Sequence, residues 1–263
     1  MKSITFAVSK GGVGKSLMSA NVGAALAGKD KKVILIEGDP NHPLQKILDV
    51  NISTSDCKLD EVVKDDLKIE KAVYSTKVDN LFLIPSGISL QGYLDIDPVS
   101  FAKKISDLTA DFMLIDVPFP LGKAAFLSLG VCEYFILLLT EDEFVLCVES
   151  AIDTIRLGRY FLQCVPLGFV LNRIKTPERF NDEFVKDLEN LLEISCIARI
   201  KEDQRVLKSY GGVRHQKAFL AYKKFADSEF SKGIFQVAAH LLGDLPSPEK
   251  KNVVELIWNL VKP

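Results

Sequence analysis

The stretch SKGGVGKS at residues 9–16 decides the fold of this 263-residue chain. It follows a short apolar run that is predicted to be a strand over 3–8, and it opens a predicted helix near 16–27. Glycines let the backbone turn so that successive N–H groups converge on an anion, and the N-terminus of a following helix attracts the same charge. The stretch therefore predicts a phosphate-binding loop between a strand and a helix.

Two side chains of this loop carry the predicted chemistry. Lys15 would reach the β- and γ-phosphates of a nucleotide, and the hydroxyl of Ser16 would bind Mg²⁺. The general pattern G-x-x-x-x-G-K-[ST] is missed at one position, because Ser9 stands where the first glycine should be. The competing interpretation is a glycine-rich turn without a ligand. The strand, loop, Lys-Ser pair and helix in register favour the phosphate site.

The composition is that of a folded, water-soluble chain. It has 33 Lys and Arg against 35 Asp and Glu, a net charge of −2, 48% hydrophobic residues and 26% charged residues. This near-neutral balance argues against a positive electrostatic potential over the whole domain, of the kind that attracts nucleic acids. No apolar run reaches the roughly 18–20 residues of a membrane span, and the apolar segment at the start is too short for a signal-peptide core. The sequence therefore predicts a cytoplasmic protein.

Short apolar runs rich in β-formers alternate with helix-length segments along the chain. Strands that are apolar on both faces and joined by helical connections imply a parallel sheet covered on both sides. We predict an α/β fold with a mainly parallel twisted sheet and helices on both faces, in one domain over 1–243, followed by a linker and an amphipathic helix over 244–263. Further strands are predicted over 33–37, 81–85, 112–116, 134–139, 167–171 and 194–199. Further helices are predicted near 98–109, 123–130, 144–162, 178–192 and 228–242.

With the additional lysine Lys10, the motif K-G-G-x-G-K-[ST] resembles the deviant Walker A motif of the MinD/ParA family, which are P-loop NTPases of the SIMIBI type. The resemblance implies an ATPase that binds ATP or ADP together with Mg²⁺. It also implies that Lys10 crosses the interface of an ATP-bound homodimer and touches the nucleotide of the other subunit, a positive charge supplied in trans. The residues expected around the phosphates are Gly11, Gly12, Val13, Gly14, Lys15, Ser16 and Leu17.

Two acidic segments resemble the switch and Walker B motifs of this family. In IEGDPN at residues 36–41, Asp39 matches the acid that orients the attacking water and the Mg²⁺ shell, whereas Glu37 stands where Asp is more usual and has at most a supporting role. In LIDVP at residues 114–118, Asp116 matches the acid that holds Mg²⁺ through water. The simpler interpretations are a turn-forming Asp39 before a proline and a strand-end Asp116. Their occurrence with the phosphate loop favours the catalytic interpretation.

Two later segments resemble the part of the family that surrounds adenine. Asn172 follows an apolar strand, where family members carry an Asn that hydrogen-bonds the adenine edge, and an amide offers the donor and acceptor that adenine requires. RIKED at residues 199–203 resembles the I-P-E-D loop beside the base, with Lys201 replacing the proline. Glu202 is therefore a candidate base contact. Glu202 and Asp203 could equally be solvent-facing charges at a helix start.

The MinD branch matches best, through LIPSGISL at residues 83–90 and through the C-terminal segment. In MinD proteins a C-terminal amphipathic helix enters the membrane interface when ATP drives dimerisation, because two paired helices bind more tightly than one. The apolar residues of 252–262 would form the inserted face. The alternative is a last helix folded against its own domain or against a neighbouring subunit. One face of the predicted helix is polar and consists of Asn252, Glu255, Asn259 and Lys262.

The predicted function is that of a MinD-like switch. It would dimerise with ATP and Mg²⁺, hydrolyse ATP slowly and control the position of other machinery, such as the cell-division or polar machinery. Its expected location is the cytoplasm, with peripheral attachment to the inner face of the cell membrane through 252–262. An activating protein of unidentified kind is expected as a further partner.

Two other functions fit parts of the sequence. A ParA-like partitioning ATPase would need a basic surface for DNA, which the lysines and arginines of 201–224 could provide, although such a run is usually a solvated face. A nucleotide-binding adaptor with little or no hydrolysis is the other alternative. Leu17 replaces a common hydroxyl residue, and Phe119-Pro120 replaces small residues of the MinD switch. A metal-insertion or electron-transfer relative would use paired cysteines, and the five cysteines here form no C-x-x-C pair.

Overall fold

Eight strands form a single sheet in a computed structural model that describes residues 1–7, 11–39, 41–87, 96–116, 123–211, 220–248 and 252–261. The strand order is β3-β4-β2-β5-β1-β6-β7-β8, and every pairing is parallel except the antiparallel pair β3–β4. This confirms the predicted α/β fold with a mainly parallel sheet. The strands are β1 (Lys2–Ala7), β2 (Val33–Glu37), β3 (Tyr74–Ser75), β4 (Leu81–Ile84), β5 (Phe112–Asp116), β6 (Tyr134–Thr140), β7 (Val165–Ile174) and β8 (Cys196–Lys201).

Helices connect the strands and cover the sheet. A π-helical turn at Leu157–Phe161 extends the long helix after β6, and 3₁₀ turns occupy Ile69–Ala72 and Pro177–Phe180. The α-helices are α1 (Lys15–Ala27), α2 (Pro43–Leu48), α3 (Leu59–Lys64), α4 (Pro98–Ser106), α5 (Lys123–Val131), α6 (Phe144–Arg156), α7 (Asp182–Leu192), α8 (Gln204–Gly211), α9 (Ala221–Lys224), α10 (Glu229–Leu242) and α11 (Val253–Val261).

The shortest strand and two short helices were not predicted from the sequence. β3 has two residues, and α2 and α3 have six residues each, which is too few for a helical or alternating pattern to stand out. The predicted helix near 178–192 begins later, at Asp182, because Asn181 caps α7 by accepting a hydrogen bond from the Phe184 N–H at 2.9 Å.

The central strands carry the core on both of their faces. In β2, β5 and β6 every residue is buried, so residues that point to opposite sides of the sheet are equally shielded from water. Helices must therefore cover both sides of the sheet, as a parallel sheet requires.

The carboxyl ends of the central strands gather polar groups at one edge of the sheet. Asp116 ends β5 and lies in register with Phe6 of β1 and with Glu37 of β2. The Gly38 N–H donates to the Asp116 carbonyl oxygen at 2.9 Å, which ties the segment after β2 to the end of β5. In open parallel sheets this edge is where ligands bind.

The C-terminal helix α11 lies against α4 and α5. Ile257 is fully buried there, and a Cβ placed on Gly130 of α5 would come within 2.5 Å of the Ile257 Cδ1 atom. The connection is also held, because the Tyr134 hydroxyl donates to the Pro246 carbonyl oxygen at 3.0 Å. Trp258 remains 52% exposed. Within the described residues, no helix combines the length and apolar character needed to cross a bilayer.

Candidate functional site

The glycine loop passes directly into the first helix. Gly12 and Gly14 have φ values of 75° and 97°, in the left-handed region that residues with a Cβ rarely adopt, and α1 begins at Lys15. A Cβ on Gly14 would also lie only 2.9 Å from the Asn172 Nδ2 atom. The N–H groups of the first turn of α1 therefore face the loop with no side chain of residue 14 in the way, as anion binding at a helix N-terminus requires.

Lys15 is the cation at the centre of the site. Its side chain is only 8% exposed, and burial lowers the pKa of the ammonium group, while the nearby charges of Asp116 and Asp39 oppose that shift. The predicted phosphate-binding lysine and the two predicted acids thus lie together. A buried ammonium group here has a clear use when a phosphate group enters, because it can donate charge-assisted hydrogen bonds to the phosphate oxygens.

Asp116 is the most perturbed carboxyl group of the site. It is fully buried, and neither carboxylate oxygen makes a hydrogen bond within the part of the chain that the structure describes. Burial raises its pKa to about 7; the charges of Glu37 and Asp39 act in the same direction, while the nearby Ser16 hydroxyl and the Lys15 charge oppose it. Two buried carboxylate oxygens that accept no well-formed hydrogen bond are costly, so this residue has capacity left for a ligand.

The chemistry of this corner suits Mg²⁺ bound together with a nucleotide. A hydroxyl from Ser16 and a carboxyl from Asp116 are the hard oxygen donors that Mg²⁺ prefers. Among the described residues no group of three His, Cys, Asp or Glu side chains could hold a metal alone. Mg²⁺ usually keeps several waters and takes further ligands from phosphates, so two protein oxygens are sufficient.

Asp39 is held in a tight turn at the mouth of the site. One of its carboxylate oxygens, Oδ1, accepts hydrogen bonds from both the backbone N–H and the side-chain Nδ2 of Asn41, each at 2.9 Å. Its carbonyl oxygen accepts from the His42 N–H at 3.1 Å. The side chain lines the same cavity as Lys15 and Ser16, where an acid could orient a water molecule.

A cavity of about 530 Å³ runs from the glycine loop to an apolar end. Gly11, Gly12, Gly14 and Leu17 line the loop side, whereas Val13 is buried beneath it. Glu202 and Asp203 both line the far side. The apolar end suits a flat heterocycle, because ligand pockets bury apolar rings among such side chains. This end is lined by Ile200, Val206, Leu207, Tyr210 and Phe230.

Asn172 lies between the loop and the apolar end. It is 4% exposed, and its Nδ2 donates to the Val13 carbonyl oxygen at 2.8 Å. The side chain thus supports the phosphate loop from below while it lines the cavity. Some predictions concern residues outside those that the structure describes. These are Lys10 and the segments 88–90, 117–118 and Phe119-Pro120.

Arg173 is a site residue that was not predicted from the sequence. This residue has a φ of 58° at the end of β7, and its guanidinium donates from Nη1 to the Gly12 carbonyl oxygen at 3.1 Å and from Nε to the Glu202 Oε2 atom at 3.2 Å. Arg173 also pairs with Asp142 at 3.4 Å. One side chain therefore joins the glycine loop to the Glu202 loop. Its position next to Asn172 was the only sequence signal for this role.

The sheet order, the glycine loop and the buried acid beside Lys15 define a P-loop nucleotide-binding protein. A family described as an AAA domain matches residues 1–157. An uncharacterized ATP-binding protein of Methanocaldococcus jannaschii is 32% identical over 262 residues, which are 98% of this chain and 95% of that protein. The chain belongs to the MinD/ParA family of P-loop ATPases, and its fold is that of an ATPase switch of this kind.

Solved structures agree with this assignment. The cell division ATPase MinD of Pyrococcus furiosus superposes with a TM-score of 0.76 at 26% identity, over 92% of this chain and 98% of that one. The septum site-determining protein MinD of Pyrococcus horikoshii, complexed with Mg-ADP, has the same fold, with a TM-score of 0.75 at 23% identity over 91% and 95% of the two chains. Nucleotide and Mg²⁺ are thus bound within the family.

We expect Arg173→Ala to weaken ADP binding about tenfold, because the glycine loop loses a charge-assisted hydrogen bond and Glu202 loses its partner. Fluorescence titration with a labelled ADP measures the affinity. Arg159→Ala is the matched control, since Arg159 also bonds a carboxylate and a backbone carbonyl, both of Glu193 and remote from the site. Equal affinities of the two variants would contradict the role given to Arg173.

Proposed function

We propose that this protein is a MinD-like switch that dimerises with ATP and Mg²⁺, hydrolyses ATP slowly, and positions other machinery, such as that of cell division, through reversible attachment to a membrane surface. The observation that carries the proposal is the placement of Lys15 beside Asp39 and Asp116, at the end of a cavity with an apolar far side. These are the groups that bind phosphates, orient a water and hold a divalent cation.

The reaction converts ATP and water into ADP and phosphate. Backbone N–H groups at the start of α1 and the Lys15 ammonium bind the β- and γ-phosphates, and Asp39 accepts a hydrogen bond from the attacking water and so aligns it with the γ-phosphorus. When bound at Ser16 and Asp116, Mg²⁺ neutralises charge on the phosphates. Asn172 and the apolar end hold the adenine, which keeps the triphosphate in register with Lys15.

The proposed dependence of ATP hydrolysis on dimerisation rests on Lys10. In this proposal Lys10 reaches the nucleotide of the other subunit, where it would stabilise charge that develops during phosphoryl transfer. A charge supplied from outside the subunit makes turnover depend on association, and an activating protein could increase the rate further by favouring that dimer. Slow turnover of the monomer follows, because the monomer lacks this cation.

Membrane attachment requires α11 to leave its place on α4 and α5. The helix presents Trp258 to solvent already, while Ile257 is buried against Gly130, so only part of its apolar surface is free. Two released helices in a dimer would bind a bilayer far better than one, because the second binding event is intramolecular. The protein would then bind the membrane with ATP and leave it with ADP.

We expect the Asp39→Ala protein, which should retain ATP, to sediment with anionic phosphatidylglycerol vesicles when ATP and Mg²⁺ are present and to remain in solution with ADP. Adding Trp258→Glu should reduce sedimentation severalfold, since a charge replaces the exposed interfacial ring. Tyr160→Glu is the matched control, because this ring is 77% exposed in another part of the surface. Sedimentation that is equal in both nucleotides, or absent in both, would exclude the membrane part of the proposal.

A DNA-partitioning function has less support. Arg205, one of the cations of the basic run over 201–224, is occupied by ion pairs with Asp203 at 2.7 Å and with Asp227 at 3.0 Å. Lys201 is exposed, but it lines the nucleotide cavity, where a bound nucleotide would compete for its charge. If the vesicles show no binding, ATP-dependent retention of duplex DNA in a gel is the measurement that would establish the partitioning alternative.

A further inference from the structure

Glu37 is a fully buried carboxylate at the end of β2. Its Oε1 atom accepts hydrogen bonds from the backbone N–H groups of Leu44 at 2.7 Å and Gln45 at 3.2 Å, both in the first turn of α2. Its Oε2 atom accepts from the Gln45 side-chain Nε2 at 2.7 Å and lies 3.1 Å from the His42 Nδ1 atom. Glu37 therefore serves as the cap of α2 from a distance of seven residues.

The partners of this carboxylate make its chemistry specific. Two backbone N–H groups and one amide NH₂ are donors, and an ionised carboxyl group, which only accepts, satisfies all three at once. The residue before α2, His42, has a φ of 56° and offers no side-chain cap of its own. The N-terminus of α2 thus depends on Glu37, which also places a negative charge at the favourable end of the helix.

This cap fixes the segment that carries Asp39. At its start, the segment is joined to β5 by the hydrogen bond from Gly38 to Asp116. At its end, α2 is joined to β2 by Glu37. Between these two points Asp39 turns into the cavity, and the Ser86 hydroxyl supports its carbonyl oxygen at 3.3 Å.

We infer that Glu37 is the positioning residue for Asp39: by capping α2 it closes the 38–43 segment into the geometry that presents the Asp39 carboxylate to the attacking water. The inference rests on the proposed ATP hydrolysis. A glutamate suits the task because its additional methylene, compared with aspartate, lets the carboxylate reach the first turn of α2. This role explains why position 37 carries a glutamate where an aspartate is more usual.

Glu37→Gln keeps the size of the side chain but replaces one of its two acceptor oxygens by an NH₂ group and removes the negative charge at the N-terminus of α2. We expect kcat for ATP hydrolysis to fall about tenfold, because a small displacement of an orienting group is enough for such a loss. KM for ATP and the affinity for ADP should stay within about twofold, since the glycine loop is unchanged. Amide hydrogen exchange over 41–48 should accelerate at least about threefold.

The exchanged pair provides the decisive control. The double variant Glu37→Gln/Gln45→Glu exchanges the carboxylate and the amide between the two positions, so that each donor again faces an acceptor. Both kcat and hydrogen exchange should then recover to within about twofold of the wild type. If Glu37 acted directly on the reacting atoms, its transfer to position 45 would restore hydrogen exchange but not kcat, and this would overturn the inference.

A loss of stability alone must also be separated from positioning. Asp97→Ala removes another carboxylate cap, which accepts from the Ser100 N–H of α4 at 2.7 Å. If Asp97→Ala lowers kcat as much as Glu37→Gln does, the effect is a general one and the inference is wrong. Unchanged hydrogen exchange in Glu37→Gln would refute it as well. A wild-type protein that does not hydrolyse ATP would instead refute the proposed function, while the exchange data would still decide whether Glu37 caps α2.

Discussion

Asp116→Asn should reduce the change in the free energy of unfolding between pH 5 and pH 8 by about 3 kcal/mol in the nucleotide-free protein. The same substitution should abolish Mg²⁺-dependent ATP hydrolysis. Burial raises the pKa of Asp116 from an ordinary value of 3.8 to about 7. The folded protein therefore keeps this proton at pH values where the unfolded chain has lost it. Stability falls as the pH rises from the ordinary pKa to about 7, and it stays reduced above that value.

Urea denaturation of both proteins at pH 5 and at pH 8 measures this difference. The asparagine cannot titrate, so the wild-type protein should lose about 3 kcal/mol more than the variant over this interval. Asp66→Asn is the matched control, because the side chain of Asp66 is 93% exposed. An identical pH dependence in the wild type and Asp116→Asn would show that the carboxyl group is not held at a raised pKa.

Lys15→Ala should reduce the affinity for ADP and ATP at least about 100-fold. The residue is the one cation that the described structure places between Asp39 and Asp116, and its charge-assisted hydrogen bonds to the phosphates are each worth about 1.5–3 kcal/mol. Its removal also leaves two acids facing the phosphates, so repulsion adds to the loss. Isothermal titration calorimetry with ADP and Mg²⁺ gives the affinities directly.

Lys29→Ala provides the comparison for this measurement. Lys29 follows the same helix α1 at its other end and is exposed, so its loss changes the net charge equally without reaching the cavity. Its affinity for ADP should match that of the wild type. A Lys15→Ala protein that still binds ADP as tightly as Lys29→Ala does would mean that the cavity does not hold phosphates at the glycine loop.

The fold was largely predictable because its long elements carry strong patterns. The buried strands are apolar on both faces, and the glycine loop lies between a strand and a helix, so β1, α1, β2, β5 and β6 could be located from their residues alone. The acids at the ends of β2 and β5 could be expected to meet, since the ends of neighbouring parallel strands share one edge.

The parts that could not be predicted depend on contacts between distant residues. Glu37 is recognised as a cap only when α2 is known to begin beside it, and α2 is too short to show a pattern. Arg173 bonds Gly12 across 161 residues, and no local signal specifies such a pairing. The position of α11 likewise depends on the small notch at Gly130, which the amphipathic pattern of the helix does not reveal.

The place of β1 in the middle of the sheet sets an order of events during synthesis. Its neighbours β5 and β6 are encoded more than 100 residues later, so the glycine loop leaves the ribosome long before either flanking strand exists. At about 5–20 residues per second, the interval is on the order of ten seconds. Throughout that time the nascent chain carries an apolar strand without its partners. Nucleotide can stabilise the protein only after β7, β8 and the helices that follow them have also been added, because their residues line the cavity.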